Sequence, residues 1–333
     1  MKRRNLVSST LSVWALASGT IATLICLQAL PAAAAAEGSF QRALQVTGAV
    51  HLDLTTGSGS VEVRTGNSGQ VQVTGRIRAT EWFAGNVEEK IKRIEANPPI
   101  QQSGNDIRIG HIDDPELRHN ISISYEVVVP AETDLRVQSG SGNQRVDGIR
   151  GPLEVSAGSG GLKISAIGDR VHAETGSGDI DIDRVKGNVH AKTGSGSIDA
   201  SDIAGAFEAD SGSGRITLQQ TAPGAVRVDT GSGGMELHGV HGSLEAKAGS
   251  GTIQADGSPT GAWSVHTGSG GVQLKLPSDA AFDLDAHTSS GSISVDHPHT
   301  VQGSIGRKEV RGRVGGGGVP VEVETGSGDI QIQ

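Results

Sequence analysis

From Val137 to the C-terminus, apolar and polar residues alternate in short runs on either side of a recurring Gly-Ser-Gly triplet. Alternation with period two marks a β-strand with one buried face. In Val171–Asn188, Val171, Ala173 and Thr175 point one way and His172 and Glu174 the other. Beyond the triplet, Ile180 and Ile182 point inward while Asp179, Asp181 and Asp183 point outward. Glycine supplies the positive φ angles that tight turns need, and Lys186-Gly187-Asn188 makes a second turn that closes the unit.

The triplets start at Gly140, Gly158, Gly176, Gly194, Gly212, Gly231, Gly249 and Gly268, in steps of 18, 18, 18, 18, 19, 18 and 19 residues. A degenerate copy, Ser289-Ser290-Gly291, follows; complete copies stand at Gly326–Gly328 and, early in the chain, at Gly57–Gly59. Stacking the units aligns Ile180, Ile198, Ile216, Met235, Ile253, Val272 and Ile293 in one inward column. Ile182, Ala200, Leu218, Leu237, Ala255, Leu274 and Val295 form a second, and Ala173, Ala191, Ala209, Val228, Ala246, Val265 and Ala286 a third. An outward column reads Glu174, Lys192, Asp210, Asp229, Lys247, His266, His287; neighbouring opposite charges pair there, and Asp210 and Asp229 repel. This register predicts an all-β, single-domain β-solenoid, parallel β-helix-like, with one coil per ~18 residues and rungs ~4.8 Å apart. A pile of hairpins is the rival arrangement, but hairpins need no such alignment.

Residues 37–130 carry a less regular version. Val50, Leu52 and Leu54, then Val61 and Val63, then Val71 and Val73 alternate. An interruption over roughly 78–106 holds a predicted helix at about 86–96, capped by Asn86 with Glu89 in the capping-box position. Val87, Ile91 and Ile94 line one of its faces and Pro98 ends it. Trp82 and Phe83 precede it, and it is expected to cover apolar surface at the N-terminal end of the solenoid. Ile121, Ile123, Tyr125, Val127 and Val129 form a further strand before Pro130, and 131–333 are the regular repeats. At the far end Gly315–Gly318 is a crossover, and the last strand, Asp329–Gln333, is expected to end the stack as an open edge that invites end-to-end self-association. Coverage of that edge by the 303–325 loop is the alternative.

Residues 1–36 read as a signal peptide: Lys2, Arg3 and Arg4, an apolar stretch from Leu6 to Leu30, then Pro31 and the run Ala32–Ala36. A permanent membrane anchor is the alternative; with cleavage, no transmembrane segment is expected to remain. Cleavage removes Cys26, the only cysteine, and takes the net charge from −9 to −12. Fifty glycines in 333 residues with 2% aromatics imply a thin core. An acidic, aromatic-poor surface argues against nucleic acid as a partner.

The T-G-S-G-D-I turn at Thr175–Ile180 and again at Thr325–Ile330 resembles an exported bacterial "putative adhesin" family of unknown function with β-solenoid repeats. Val128-Val129-Pro130 leading into the repeats, Leu274–Pro277 followed by Phe282–Asp285, and the Gly-rich segment before the last turn extend the likeness over about residues 45–333. The resemblance implies a solenoid exported to the envelope, some relatives being tied to envelope stress, and it implies no catalytic residue.

Candidate chemistry is sparse. Calcium β-rolls place Asp after each Gly-rich turn, but here that position holds Asp179, Ser197, Arg215, Gly234, Thr252, Gly271, Ser292 and Asp329. One acidic patch remains, Asp179, Asp181, Asp183, Asp199 and Asp202, with Lys163, Arg184 and Lys186 nearby; it reads as a solvated face, as a site for one cation, or as paired carboxylates of a polysaccharide-active enzyme. His172 and His190 share a column, as do His266 and His287, and His297-Pro-His299 is a third pair; each offers two metal ligands where structural zinc takes four. H-E-x-x-H, G-x-S-x-G and phosphate-loop motifs are absent. No catalytic, cofactor or metal residue is assigned. The expectation is a non-enzymatic protein of the periplasm, cell surface or medium that presents polar faces to an envelope glycan or surface protein. The alternatives are a periplasmic envelope-stress scaffold and an enzyme centred on Asp179–Asp202.

Overall fold

The computed structural model of the chain describes residues 36–67, 69–79, 87–118, 120–297 and 302–333. The expected signal peptide up to Ala35, Trp82 and Phe83, the expected Asn86 cap and His299 lie outside the described residues. The described residues form one compact unit.

Like residues pair with like. Leu153 lies beside Val171 and Val171 beside Val189 in parallel register, and on the other face Leu162, Ile180 and Ile198 follow one another in the same way. The chain is therefore a β-solenoid and not a pile of hairpins. One face is built from strands such as Leu153–Ser159, Val171–Ser177 and Val189–Ser195; the second from Leu162–Ile167, Ile180–Val185 and Ile198–Ile203. The corners are paired as well: the Gly178 amide donates to the Ser195 carbonyl at 3.1 Å, and Ile180 to Ser197 at 2.9 Å.

Close stacking at the corner explains the triplet. A Cβ on Gly160 would lie 2.3 Å from the carbonyl oxygen of Gly142 one rung away, and Gly160 has φ +134°. Both facts exclude a larger residue. In most repeats a hydroxyl before the triplet points inward and ties the same corner: Thr175 donates to Gly160 O at 3.1 Å, Thr193 to Gly178 O at 3.0 Å and Ser211 to Gly196 O at 3.0 Å.

Strict alternation fails at the second corner. Ala166, Arg184 and Asp202 share one repeat position and are left-handed, with φ of 55°, 56° and 53°. The kink resets the phase, so Ile167, Val185 and Ile203 turn inward three residues after Ile164, Ile182 and Ala200, adding a core column.

The stack does not follow chain order at its ends. At the N-terminal end, Val50–Ser58 lies between Thr133–Ser141 and Asp106–Ile109, and Val61–Thr65 between Gln144–Asp147 and Ile121–Val129. Antiparallel Gln70–Ala79 and Ala36–Gln45 then extend the second face. The predicted helix is present at Val87–Ala96, with Ile91 and Ile94 buried. It packs on Ala36–Gln45, where Gly38 leaves room for Ile91 and the Glu95 carboxylate accepts the Ser39 amide at 2.8 Å. The interruption also contains an antiparallel hairpin, Ile100–Ser103 with Asp106–Ile109, that alternation did not reveal.

At the C-terminal end the expectation of an open last strand fails. Ile330–Ile332 is inserted between Val272–Lys275 and Ile293–Val295, and Val319–Ser327 between the Trp263–Ser269 segment and Phe282–Ser290. The inward columns accordingly run Val272, Ile330, Ile293 and Val265, Val323, Ala286. The outermost coil is covered by Glu309–Val314, antiparallel to Phe282–Ser290, and then by Gln302–Ile305.

Candidate functional surface

Parallel register converts the repeat into ladders of side chains ~4.8 Å apart. On the first face one outward column runs Arg108, Asp53, Arg136, Glu154, His172, His190, Glu208, Arg227 and Glu245. Signs alternate except at the histidines. Arg136 meets Glu154 at 2.6 Å, and Arg227 meets Glu245 at 2.9 Å and Glu208 at 3.9 Å. The Glu154 carboxylate, with Asp53 and Asp134 beyond it, raises the Arg136 pKa above the ordinary guanidinium value.

The neighbouring column runs Glu174, Lys192, Asp210, Asp229, Lys247, His266, Glu324 and His287. His266 and His287 are therefore not adjacent: the inserted last segment puts Glu324 between them, 3.1 Å from His266 Nδ1. Lys247 reaches sideways to Glu245 at 2.5 Å, and this hydrogen bond, with Arg227 nearby, lowers the Glu245 pKa. Exposed pairs of this kind contribute little individually. Their effect is to fix the charge pattern of the face.

His172 and His190 do meet. Their rings stack 7° from parallel with centroids 4.8 Å apart. His172 Nε2 lies 3.3 Å from Glu174 Oε1, and His190 Nδ1 lies 3.2 Å from Glu208 Oε2. One ligand atom each of His172, Glu174 and His190 fall within 4.8 Å of one another. His297, by contrast, is buried, edge-on to Phe282, with Nε2 3.0 Å from Pro277 O.

Where the first face meets the Ile100–Ile109 hairpin there is a cleft of about 780 Å³. Gln101, Gln102 and Ser103 form one wall, and His51, Asp53, Asp134 and Arg136 the other. His51 Nδ1 faces Asp134 at 3.3 Å.

On the second face the acidic patch divides. Asp181, Asp183 and Asp199 line one cleft of about 500 Å³ with Arg145, Lys163 and His238. Asp181 and Asp199 sit on adjacent rungs, with Lys163 on the other side of Asp181. Asp183 accepts from Ser201 Oγ at 3.0 Å and pairs with Arg184. Asp179 and Asp202 belong to the corners. Asp179 accepts the Ser197 amide of the next rung at 2.8 Å, and Asp329 does the same for Ser292 at 2.8 Å. This is the structural reason for Asp in the T-G-S-G-D-I turn, and it leaves Asp179 with a partner of its own.

Among the described residues no helix is long and apolar enough to cross a membrane. The sequence profile of the Toastrack DUF4097 family matches residues 169–333. No curated protein matches the chain in sequence. Similar solved structures include a "putative cell adhesion protein" from Clostridium sporogenes, 12% identical, with a TM-score of 0.23 over 89% of this chain and 99% of that one. A "putative lipid binding protein" from Parabacteroides distasonis is 10% identical, with a TM-score of 0.39 over 89% and 97%. A "putative adhesin" from Bacteroides fragilis is 11% identical, with a TM-score of 0.30 over 89% and 97%.

Proposed function

We propose, for a chain whose residues 169–333 resemble the Toastrack DUF4097 family, that it is an exported, non-enzymatic binding scaffold of the cell envelope, with an adhesin-like role. Residues 1–36 direct export, and the remaining solenoid presents its first face to an envelope glycan or surface protein. The observation that carries this reading is the charged column from Arg108 to Glu245 on that face, whose Arg108, Asp53, Arg136 and Glu154 line the polar cleft, with the column from Glu174 to His287 running beside it. A rigid ladder with ~4.8 Å spacing suits many weak contacts made at once, so that affinity comes from multivalency more than from any one residue.

The test is co-sedimentation of the purified protein with isolated envelope polymer, for the wild type and for Arg136→Glu/Arg227→Glu. Salt-sensitive binding that the double variant loses supports the reading; binding unchanged in the variant, or no binding by the wild type, ends it. Protease accessibility on intact and permeabilised cells then separates the two locations. Digestion on intact cells favours a surface adhesin, and digestion only after permeabilisation favours a periplasmic scaffold.

A second reading rests on the cleft that brings Asp181, Asp183 and Asp199 together. A polysaccharide-active enzyme needs two carboxylates there with distinct roles. Cleavage of an envelope or plant polymer that Asp181→Ala abolishes would support it.

A further inference from the structure

The first-face column alternates in sign on both sides of one break, Arg136–Glu154–His172–His190–Glu208–Arg227. Between Glu154 and Glu208 the pattern asks for positive charge, and two stacked imidazoles stand there. We infer that His172, His190 and Glu174 form a binding site for a divalent transition-metal ion of the zinc class.

Three features support this beyond the residue types. First, one ligand atom from each of the three already lies within 4.8 Å of the others. Three donors ~2.1 Å from one ion stand ~3.4–3.6 Å apart, so tilting the two rings and swinging the Glu174 carboxylate by about an ångström completes the site. Both rings are partly exposed, and nothing in the core has to shift. Second, His190 already has an outer partner. Its Nδ1 faces Glu208 Oε2 at 3.2 Å, and Arg227 lies 3.9 Å from the other oxygen of Glu208. A carboxylate behind a ligating imidazole fixes the tautomer and presents Nε2 to the ion. Third, two imidazoles with one carboxylate select zinc-like ions over calcium or magnesium, which take oxygen ligands. Lys192, beside Glu174 in the neighbouring column, opposes the cation, and its side chain is long enough to swing into solvent. Three protein ligands leave a position for water or for an oxygen atom of a partner.

The experiment is calorimetric titration of the purified protein with Zn²⁺ alone, with Ca²⁺ and Mg²⁺ in parallel. The variants are His172→Gln, His190→Gln and, as a distant control, His238→Gln. The expected result is one Zn²⁺ site per chain, with no calcium or magnesium binding at it. Outer-shell changes around metal sites already cost about 10–100-fold, so losing either ligating histidine weakens binding at least about tenfold, while His238→Gln leaves it unchanged. Circular dichroism melts of each variant check the fold, and the visible absorption of a Co²⁺ substitute, lost in His190→Gln, reports directly on the ligands. Absence of Zn²⁺ binding by the wild type, or equal binding in folded His172→Gln and His190→Gln, overturns the inference.

Discussion

The Thr193 hydroxyl donates to the carbonyl oxygen of Gly178, one rung away, at 3.0 Å, and Thr193 is 2% exposed. The contact recurs at Thr175, Ser211, Thr230, Thr267, Thr288 and Thr325, whereas Thr56 and Ser139 donate to other carbonyls. It supplies a donor to a part-buried carbonyl at the corner between the two faces. Thr193→Val keeps the shape and removes the donor. Losing a hydrogen bond to a part-buried carbonyl costs about 0.5–1.5 kcal/mol, so the denaturant midpoint falls accordingly. Ala157 and Ala248 occupy the same position without a hydroxyl. Ala157→Thr should therefore recover part of such a bond, and equal midpoints for Thr193→Val and the wild type would remove the ladder from the account of stability.

Glycine at the corner is required by contact as well as by conformation. In Gly160→Ala the new Cβ meets Gly142 O at 2.3 Å, and the rung spacing cannot widen without breaking the ladder on both sides. With the strain at φ +134° added, the expected loss is roughly 3 kcal/mol or more. Ser159→Ala, next to it and exposed, should stay within about 0.5 kcal/mol. Urea melts of the two variants settle the contrast, and a Gly160→Ala protein as stable as the wild type would contradict the stacking argument.

The repeat made the coils legible because a fixed period leaves an unambiguous record in Ile180, Ile198 and Ile216. The column Ile167, Val185, Ile203 was not legible by alternation, since one left-handed residue shifts the phase and polar neighbours such as Asp183 mask it. A branched residue at the same place in three successive repeats was the available signal. The order of the last coils was not legible for a different reason. Neighbours in sequence are assumed to be neighbours in the stack, but the Gly315–Gly318 crossover returns Ile330 to a place beside Val272. The intact T-G-S-G-D-I after a degenerate copy was a hint that the final segment is interior. At the surface, the His172–His190 column was readable, whereas the Glu208 carboxylate behind His190 required the register.

The left-handed corner predicts stabilising changes. Ala166 at φ 55° carries a cost of about 1 kcal/mol that glycine does not, partly offset by the greater freedom of glycine in the unfolded chain. Ala166→Gly is expected to gain about 0.5–1 kcal/mol. Asp202 at φ 53° tolerates the same conformation better, because its short polar side chain can bond locally. Asp202→Gly should therefore gain less. Thermal melts that rank the two in the opposite order would refute this reading of the kink.

Buried polarity gives a further prediction. Tyr125 is 2% exposed, and its hydroxyl meets no hydrogen-bond partner among the described residues. Burial raises its pKa above the ordinary phenol value. The ring packs edge-on against Phe40 at 6.3 Å, and Tyr125→Phe keeps that contact. Removing an unpaired buried hydroxyl should leave stability unchanged or raise it by about 1 kcal/mol, where most core changes lower it. A destabilised Tyr125→Phe would reveal a partner for that hydroxyl.

The terminal coil should be sensitive to acid through Asp329. Its carboxylate accepts from the Ser292 hydroxyl and amide, both at 2.8 Å, and these bonds, with Arg307 nearby, hold its pKa below the ordinary aspartate value. A carboxylate whose pKa is lower in the folded than in the unfolded state stabilises the fold above the unfolded value. That contribution is lost as the pH falls through the folded value. The window therefore lies below about pH 4. Asp329→Asn retains an oxygen that can accept the Ser292 amide, as Asn143 does for Gly161 at 3.0 Å, but it cannot titrate. The variant should be somewhat less stable than the wild type at pH 7, and the difference should shrink as the pH is lowered through the acid range. Urea midpoints of both proteins across that range measure it, and a difference that stays constant with pH would show that the Asp329 charge plays no part in holding the last inserted coil against Ser292.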